Sequence, residues 1–326
     1  MTPTASARGY AFVLDGSPVA TYQAWQLADS LVRHGGAAGD VHVYAGADVD
    51  PALLATFDAR GYAVHRAAAD ADPHTLANAS GCAVLPVGAI ATGNLHAAGD
   101  AALTFYDVGA LNVRGQLDGA RVTTPVDPAA LARANDAINR NFESRIFWDF
   151  RYAQFPERGS GVGSRGDLLL AKQQFLRDNR IETAQSILDV GCGDLEVLKI
   201  FPLHGYVGLD RSPSALERAR AVRPDLDFRV GLDATVAPAD LVLCFEVLIH
   251  QPDAADYRGI IDFLAAKTRR TLLVSGYERA DEASAANGML AFHEPLSASL
   301  ARTGAFARIE PVRSIADRLT VFRCEV

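Results

Sequence analysis

Residues 187–194 read Ile187-Leu188-Asp189-Val190-Gly191-Cys192-Gly193-Asp194. An apolar run that ends in an acid and passes straight into Gly-x-Gly has the form of a buried strand delivering bare backbone to a ligand at the carboxyl end of a sheet, because glycine has no side chain to obstruct the approach. Asp210 closes the next apolar run, about twenty residues on, where an acid accepts hydrogen bonds from ribose hydroxyls. Together they mark a nucleotide-type site at a first strand–helix turn. The dinucleotide fingerprint asks for a third small residue three positions after the second glycine, to let the helix approach around a pyrophosphate. Glu196 stands there, and no Gly-x4-Gly-Lys-Ser/Thr occurs, so neither a pyrophosphate nor a P-loop phosphate is provided for. A ligand with a ribose and a zwitterionic amino-acid tail fits better, with Asp189 facing the ammonium and glycine-turn amides and water serving the carboxylate.

Working outward, the apolar pattern alternates between strand and helix, which implies parallel pairing through crossover units. A helix at 168–178 leads to the strand at 186–190, and the glycine turn opens a helix ending near Phe201. Strands at 206–210, 227–230, 241–247 and 271–275 alternate with helices at 212–222 and 256–267. Two β-rich pieces, 307–312 and 319–326, flank a polar turn and should pair as a hairpin on one sheet edge.

Upstream, a loose start at 1–8 precedes a strand at 10–14, a helix of about sixteen residues with Ala20, Trp25, Leu27 and Leu31 on its apolar face, and the stop Gly35-Gly36. A strand at 41–44, a helix at 51–60 and a strand at 62–66 continue the alternation, followed by a loop at 70–80 and apolar runs at 82–87 and 103–108. The region closes near Pro125, giving a small α/β domain at 1–124. Residues 125–165 differ in character: a helix at 128–140, then Phe142, Phe147, Trp148, Phe150, Tyr152 and Phe155, then the glycine-serine run from Gly159 to Gly166. That run reads either as a flexible linker or as a cap folding over a ligand. The third segment is 166–326.

The chain has 326 residues, which at roughly 150 per domain gives about two domains. Charged residues make up 21 % and hydrophobic ones 49 %, enough apolar material for folded cores. The net charge is −8 and the basic residues are scattered, Lys172, Lys199 and Lys267 being the only lysines. Nucleic-acid binding by phosphate neutralisation needs a clustered basic footprint, so it is disfavoured. The longest apolar stretches, of about ten residues, are too short to span a bilayer, and no signal-peptide pattern opens the chain. Cys82, Cys192, Cys244 and Cys324 lie far apart, so neither a disulfide framework nor a structural zinc site is expected and a reducing cytoplasm is the simplest setting.

Asp189-Val190-Gly191-Cys192-Gly193, Asp210 and the segment Asp240-Leu241-Val242-Leu243-Cys244-Phe245-Glu246-Val247-Leu248-Ile249-His250 resemble the class I S-adenosylmethionine-dependent methyltransferase family. The resemblance spans residues 186–326 and implies a Rossmann-like seven-stranded α/β sheet with a terminal antiparallel hairpin, and S-adenosyl-L-methionine as cofactor. It implies that Asp189, Gly191, Cys192 and Gly193 hold the methionine part and Asp210, with Arg211 beside it, the ribose. Asp233 would sit near the adenine amino group, and Phe245 and Glu246 would line the floor under the sulfonium. Trp148, Tyr152 and Gly161-Val162-Gly163-Ser164-Arg165 resemble an N-terminal cap of a bacterial subgroup, which brings Arg165 to the cofactor. In the first domain, Phe12-Val13-Leu14-Asp15-Gly16 and His42-Val43-Tyr44 are similar to the opening of nucleotide-sugar glycosyltransferases of the GT-A type. No Asp-x-Asp follows an apolar strand at a convincing place for that chemistry, so a binding or scaffolding role is implied.

Methyl transfer from a sulfonium needs mainly proximity and alignment; a general base matters when the acceptor is a hydroxyl, and histidine suits that role. His250, just past strand four, is the first candidate, and His293 in Phe292-His293-Glu294-Pro295-Leu296 the second, with Glu294 as its orienting partner. Strand four does not end in an Asn-Pro-Pro-Tyr-like tetrapeptide and no Pro-Cys nucleophile is present, so nucleobase acceptors are disfavoured. Asp253 and Asp256 read as a helix start rather than a metal pair. The expected function is O-methylation of a saccharide, nucleotide sugar or other small-molecule hydroxyl. The alternatives are a non-catalytic cofactor-binding scaffold of glycan biosynthesis and an NAD-dependent oxidoreductase.

Overall fold

The computed structural model describes residues 9–92, 95, 102–123, 127–282, 289–315 and 319–326. The expected loose start, the domain end near Pro125 and the turn of the terminal hairpin lie outside them. The chain divides into two compact units, Met1–Phe150 and Arg151–Val326.

The first unit carries a parallel four-stranded sheet in the order β3-β2-β1-β4, built from β1 (Tyr10–Leu14), β2 (Val41–Ala45), β3 (Ala63–Arg66) and the two-residue β4 (Ala83–Val84). Helix α1 (Pro18–Arg33) starts where the sequence says it should, with Ser17 accepting a capping bond from the Ala20 amide and Pro18 in the first turn. It buries Trp25, Leu27 and Leu31. Helix α2 (Pro51–Asp58) follows β2. The stretch expected as a loop at 70–80 instead holds α3 (Pro73–Ala79), whose start is fixed by the Asp72 carboxylate accepting from the His74 and Thr75 amides; an Asp-Pro start signal outweighed the polar composition. The last apolar runs do not join this sheet in full. The run at 82–87 supplies only β4, and the run at 103–108 gives β6 (Leu103–Phe105), which pairs antiparallel with β5 (Ala89–Ala91), just past the first run. Helices α4 (Pro128–Arg140) and α5 (Ser144–Gln154) follow, α5 absorbing four of the six aromatic residues of the middle segment.

The second unit contains α6 (Gly166–Asp178), β7 (Ile187–Val190), β8 (Tyr206–Asp210), α7 (Pro213–Val222), β9 (Asp227–Val230), β10 (Ala239–Cys244), α8 (Ala254–Lys267), β11 (Thr268–Gly276), α9 (Leu296–Arg302), β12 (Arg308–Ile315) and β13 (Leu319–Glu325). Its seven strands run β12-β13-β11-β10-β7-β8-β9. Neighbours from β9 to β11 pair parallel, and β13 pairs antiparallel with both β11 and β12. The expected α/β class, the seven-stranded sheet and the antiparallel terminal hairpin are all present. The chain winds outward from β7 through β8 to β9, then returns to the other side of β7 for β10. Strand order therefore reverses between β7 and β10, the place where open α/β sheets leave a crevice at their carboxyl ends.

The alternation of the strands splits the apolar residues between two layers. Ile187, Leu241 and Leu243 face Phe175 and Leu176 of α6; Leu188, Val190 and Val242 face Ile260, Ile261 and Leu264 of α8. One expectation fails here: no α-helix follows the glycine turn, and residues 193–201 form successive turns. Leu195 takes a left-handed conformation, φ 61°, which interrupts a right-handed helix at its start. Leu195, Leu198 and Phe201 are buried in the α6-side core, and their spacing of three suits a tight-turn geometry as well as it suits an α-helix. Leu243, fully buried in a central strand, tests this layering: Leu243→Ala is expected to destabilise the fold by about 2–5 kcal/mol in urea denaturation.

Candidate functional site

The glycine turn forms at the switch point for steric reasons. Gly191 has φ 81° and Gly193 φ 55°, conformations that suit residues without a Cβ. A Cβ on Gly191 would fall 2.1 Å from Val247 Cγ2, and one on Gly193 2.4 Å from the Tyr152 hydroxyl. Bare backbone thus faces Val247, just past β10, at Gly191 and the Tyr152 hydroxyl at Gly193. The turn amides are not arranged as expected, however. Gly191 and Cys192 donate to the Leu209 carbonyl at 2.7 and 3.0 Å, and Gly193 donates to Asp210 Oδ2 at 2.9 Å. These amides zip the turn onto β8 and so cannot serve a ligand carboxylate in the described arrangement. Asp210 Oδ1 also accepts from the Ser212 amide at 2.9 Å, so this one carboxylate ties the two neighbouring turns together. Arg211 follows it, half-buried.

Asp189 is buried and accepts from the Tyr206 hydroxyl at 3.0 Å. Burial pushes its carboxyl up to about 7; the Tyr206 bond opposes the rise and nearby Asp210 adds to it. Cys192 is buried too, and burial raises its thiol. A solvated carboxyl at the end of a strand would not behave like Asp189: it sits where it gains by meeting a cation.

Residue Asp194, which the motif reading passed over, is the hub of a second network. It is buried, accepts from Ser160 Oγ at 2.6 Å and from Arg165 at 2.7 Å, and Ser160 in turn meets the Tyr152 hydroxyl at 2.7 Å. Arg165 also donates to the Glu157 and Ser164 carbonyls. The glycine-serine run is therefore packed beside the glycine turn within this unit. Arg165, expected at the cofactor, donates to Asp194. The signal available in the sequence was the acid directly after Gly-x-Gly, 29 residues from Arg165.

At the end of β10, Phe245 is half-buried and meets Phe175 edge-on, ring centroids 6.4 Å apart. Glu246 adopts φ 59°, donates its amide to Ser275 Oγ at 2.8 Å and pairs with Lys172 Nζ at 2.5 Å. His250 lies in the 3-10 turn Leu248–His250, and its Nδ1 sits 2.7 Å from the Met289 carbonyl. A carbonyl only accepts, so Nδ1 carries the proton and Nε2 the lone pair. Burial lowers the imidazole below its ordinary value, the Met289 bond and Glu246 oppose this, and Arg151 adds to it.

The remaining candidates meet the following partners. His293 Nε2 meets the Gln251 carbonyl at 2.8 Å and its ring packs on Tyr257. Glu294 does not orient it, because Oε1 accepts from Ser299 at 2.8 Å and from Arg302 at 2.5 Å. Asp233 has both oxygens engaged, Oδ1 by Thr235 and Oδ2 by Arg229; the Thr235 hydroxyl and then Arg229 hold it down to about 2. Asp253 caps α8 through bonds from the Ala255 and Asp256 amides. Among the described residues no group of three or more His, Cys, Asp or Glu could hold a metal ion, and no helix is long and apolar enough to cross a membrane.

No family model and no curated protein matches the chain. Solved structures do. Magnesium protoporphyrin IX methyltransferase (ChlM) from Synechocystis PCC 6803 with bound SAM matches with a TM-score of 0.43 and 15 % identity, over 56 % of this chain and 97 % of that one. An O-methyltransferase family protein from Burkholderia thailandensis matches with 0.41 and 16 %, over 56 % of this chain and 59 % of that one. N-methyltransferase NodS from Bradyrhizobium japonicum WM9, in complex with S-adenosyl-L-homocysteine, matches with 0.42 and 14 %, over 53 % and 97 %.

The Asp189 carboxyl gives a pH-dependent prediction. Its value in the folded protein, about 7, lies above the unfolded one, about 3.9, so the folded state holds the proton more tightly. Stability from this group is complete below about pH 4, declines as pH rises toward about 7 and is flat beyond, the loss being a few kcal/mol, ~4 at most. Asp189→Asn is expected to remove that decline and to melt above the parent at about pH 8; parallel melting curves across this range would contradict it.

Proposed function

We propose that the second unit is an S-adenosylmethionine-dependent methyltransferase acting on a hydroxyl of a small molecule, a saccharide or nucleotide sugar being the favoured acceptor. The observation that carries this reading is the juxtaposition, at the β7/β10 switch point, of a side-chain-free turn with a buried acid whose ionisation calls for a cation. An adenosyl amino acid supplies that cation in its ammonium group and brings no phosphate, for which the turn has no amides to spare. Asp189 faces the ammonium, and Gly191, Cys192 and Gly193 give the methionine part its clearance. Asp210 with Arg211 lies on the ribose side, Asp233 toward the adenine, and Phe245 and Glu246 under the sulfonium. Arg165 belongs to the cofactor side of the cap, and its bond to Asp194 holds the glycine-serine run beside the turn.

When bound, the cofactor supplies a methyl group already activated for in-line displacement. The chain's part is to align the acceptor, exclude water and take a proton. His250 is our candidate to take that proton: the Met289 carbonyl accepts from its Nδ1, and burial lowers the imidazole below its ordinary value. His293, held by the Gln251 carbonyl, is the secondary candidate. In this reading residues 166–326 form the catalytic domain, 125–165 the cap, and 1–124 a non-catalytic α/β domain whose glycosyltransferase-like opening motivates the sugar acceptor. The setting in this reading is cytoplasmic, with no nucleic-acid partner and no membrane insertion.

The test is thermal stabilisation by S-adenosylhomocysteine against NAD, followed by transfer of labelled methyl from S-adenosylmethionine to a panel of nucleotide sugars and glycans. Stabilisation by the former alone, with label entering a hydroxyl, is expected. Binding without transfer to any acceptor would favour a scaffold, and preference for NAD would favour an oxidoreductase. His250→Ala is expected to lower turnover at least about tenfold with cofactor binding unchanged; undiminished turnover would remove His250 from the mechanism.

A further inference from the structure

Among the described residues, the Tyr206 hydroxyl is the one donor to the Asp189 carboxyl, 3.0 Å from Oδ2. The way it arrives there is not that of a neighbour in the sheet. In the parallel register Ile187 stands beside Tyr206, and Asp189 stands beside Gly208. The Tyr206 ring therefore runs along its own strand, past Gly208, to reach an acid two positions further on. Gly208 leaves the room for it: a Cβ there would fall 2.9 Å from the Tyr206 hydroxyl, 2.9 Å from Cys192 Sγ and 2.8 Å from Phe228 Cδ1. Glycine inside a strand weakens it and marks a close approach, and the approach made here is that of a phenol to a carboxyl. The ring is buried and meets Phe228 edge-on, centroids 5.9 Å apart, so packing fixes its direction.

Burial and the nearby acid raise the Tyr206 phenol well above its ordinary value, so it stays protonated and donates. Asp189 Oδ1 accepts nothing from the described residues. With Oδ2 taken by a donor, the proton that the acid carries when neutral sits on Oδ1. The other titratable groups acting on Asp189 are Asp210 at the end of β8 and the thiols of Cys192 and Cys244, which burial raises; none of them is a cation. We propose that Tyr206 is a positioning residue of the cofactor site: reaching past Gly208, its hydroxyl holds Asp189 Oδ2 and turns Oδ1 toward the ammonium group of the ligand. The inference rests on the reading of Asp189 as the partner of that ammonium. As the ligand binds, Oδ1 gives its proton to solvent, the ammonium keeps its own, and the carboxylate formed is shared between the phenol and the ligand. One proton leaves as one cation enters. Without the phenol the carboxylate loses the hydrogen bond that favours it, and ionisation costs more.

The test combines an NMR titration of aspartate-labelled protein without cofactor, the Asp189 signal being assigned by its loss in Asp189→Asn, with S-adenosylhomocysteine binding. Tyr206→Phe keeps the ring and removes the hydroxyl. It is expected to raise the Asp189 midpoint by about one unit, a tenfold gain in proton affinity. It should weaken S-adenosylhomocysteine binding roughly tenfold at about pH 6.5, the gap narrowing toward about pH 9, where the acid is ionised in both proteins. A purely structural role would lower stability without that pH dependence. Added to Asp189→Asn, the same substitution should leave the affinity of Asp189→Asn unchanged, and this double variant removes donor and acid together where Tyr206→Phe alone fails to fold. An unchanged midpoint or an unchanged affinity in folded Tyr206→Phe overturns the proposal, as does a further loss of affinity in the double variant. No binding by the parent overturns the cofactor reading and this inference with it, whereas binding that Asp189→Asn weakens and Tyr206→Phe does not overturns the inference alone.

Discussion

The second unit depends on one close approach: the end of β7 must pass the end of β10 with no side chain between them. Gly191 against Val247 and Gly193 against Tyr152 and Ser160 leave no room for a Cβ, and the positive φ of both glycines is the backbone's way of making the passage. Everything chemically notable in this unit lies within a few residues of that crossing. Asp189 precedes it, Asp194 follows it, Asp210 clamps it from β8, and Glu246 and His250 arrive from β10.

The carboxylates around the crossing divide by what each one meets. Asp210 and Asp194 are consumed by the protein itself, the first by backbone amides and the second by Ser160 and Arg165. Glu246 is neutralised by Lys172. Asp189 has only the Tyr206 hydroxyl among the partners seen, and its carboxyl is pushed upward by burial. Acids whose environments push them apart in this way take different roles, and the one left short of positive charge is the one to offer to a ligand cation.

Much of this could be read from sequence because strand and turn signals are local. The alternation of apolar runs with amphipathic segments announced the parallel sheet, the β-rich tail announced the hairpin, and Gly191-Cys192-Gly193 announced the turn. The misses have physical causes. The helix expected after Gly193 gave way to turns because burial of Leu195, Leu198 and Phe201 at a spacing of three satisfies either geometry, and the left-handed Leu195 settles which. Asp72-Pro73 was passed over because polar composition was weighed above a capping signal. Lys172 with Glu246, and Arg165 with Asp194, were illegible for another reason: pairing across 74 and 29 residues is fixed by the crossing of β7 and β10, and no local pattern carries it.

The most direct measurement is calorimetric titration of S-adenosylhomocysteine into the protein at about pH 6.5, in two buffers of different ionisation enthalpy. A group with a midpoint of about 7 is mostly protonated there, and meeting an ammonium ion forces it to ionise. The account predicts saturable binding in which the two buffers report roughly three-quarters of a proton released per ligand, a release that Asp189→Asn abolishes. No heat with this ligand, or binding without proton release, would contradict it.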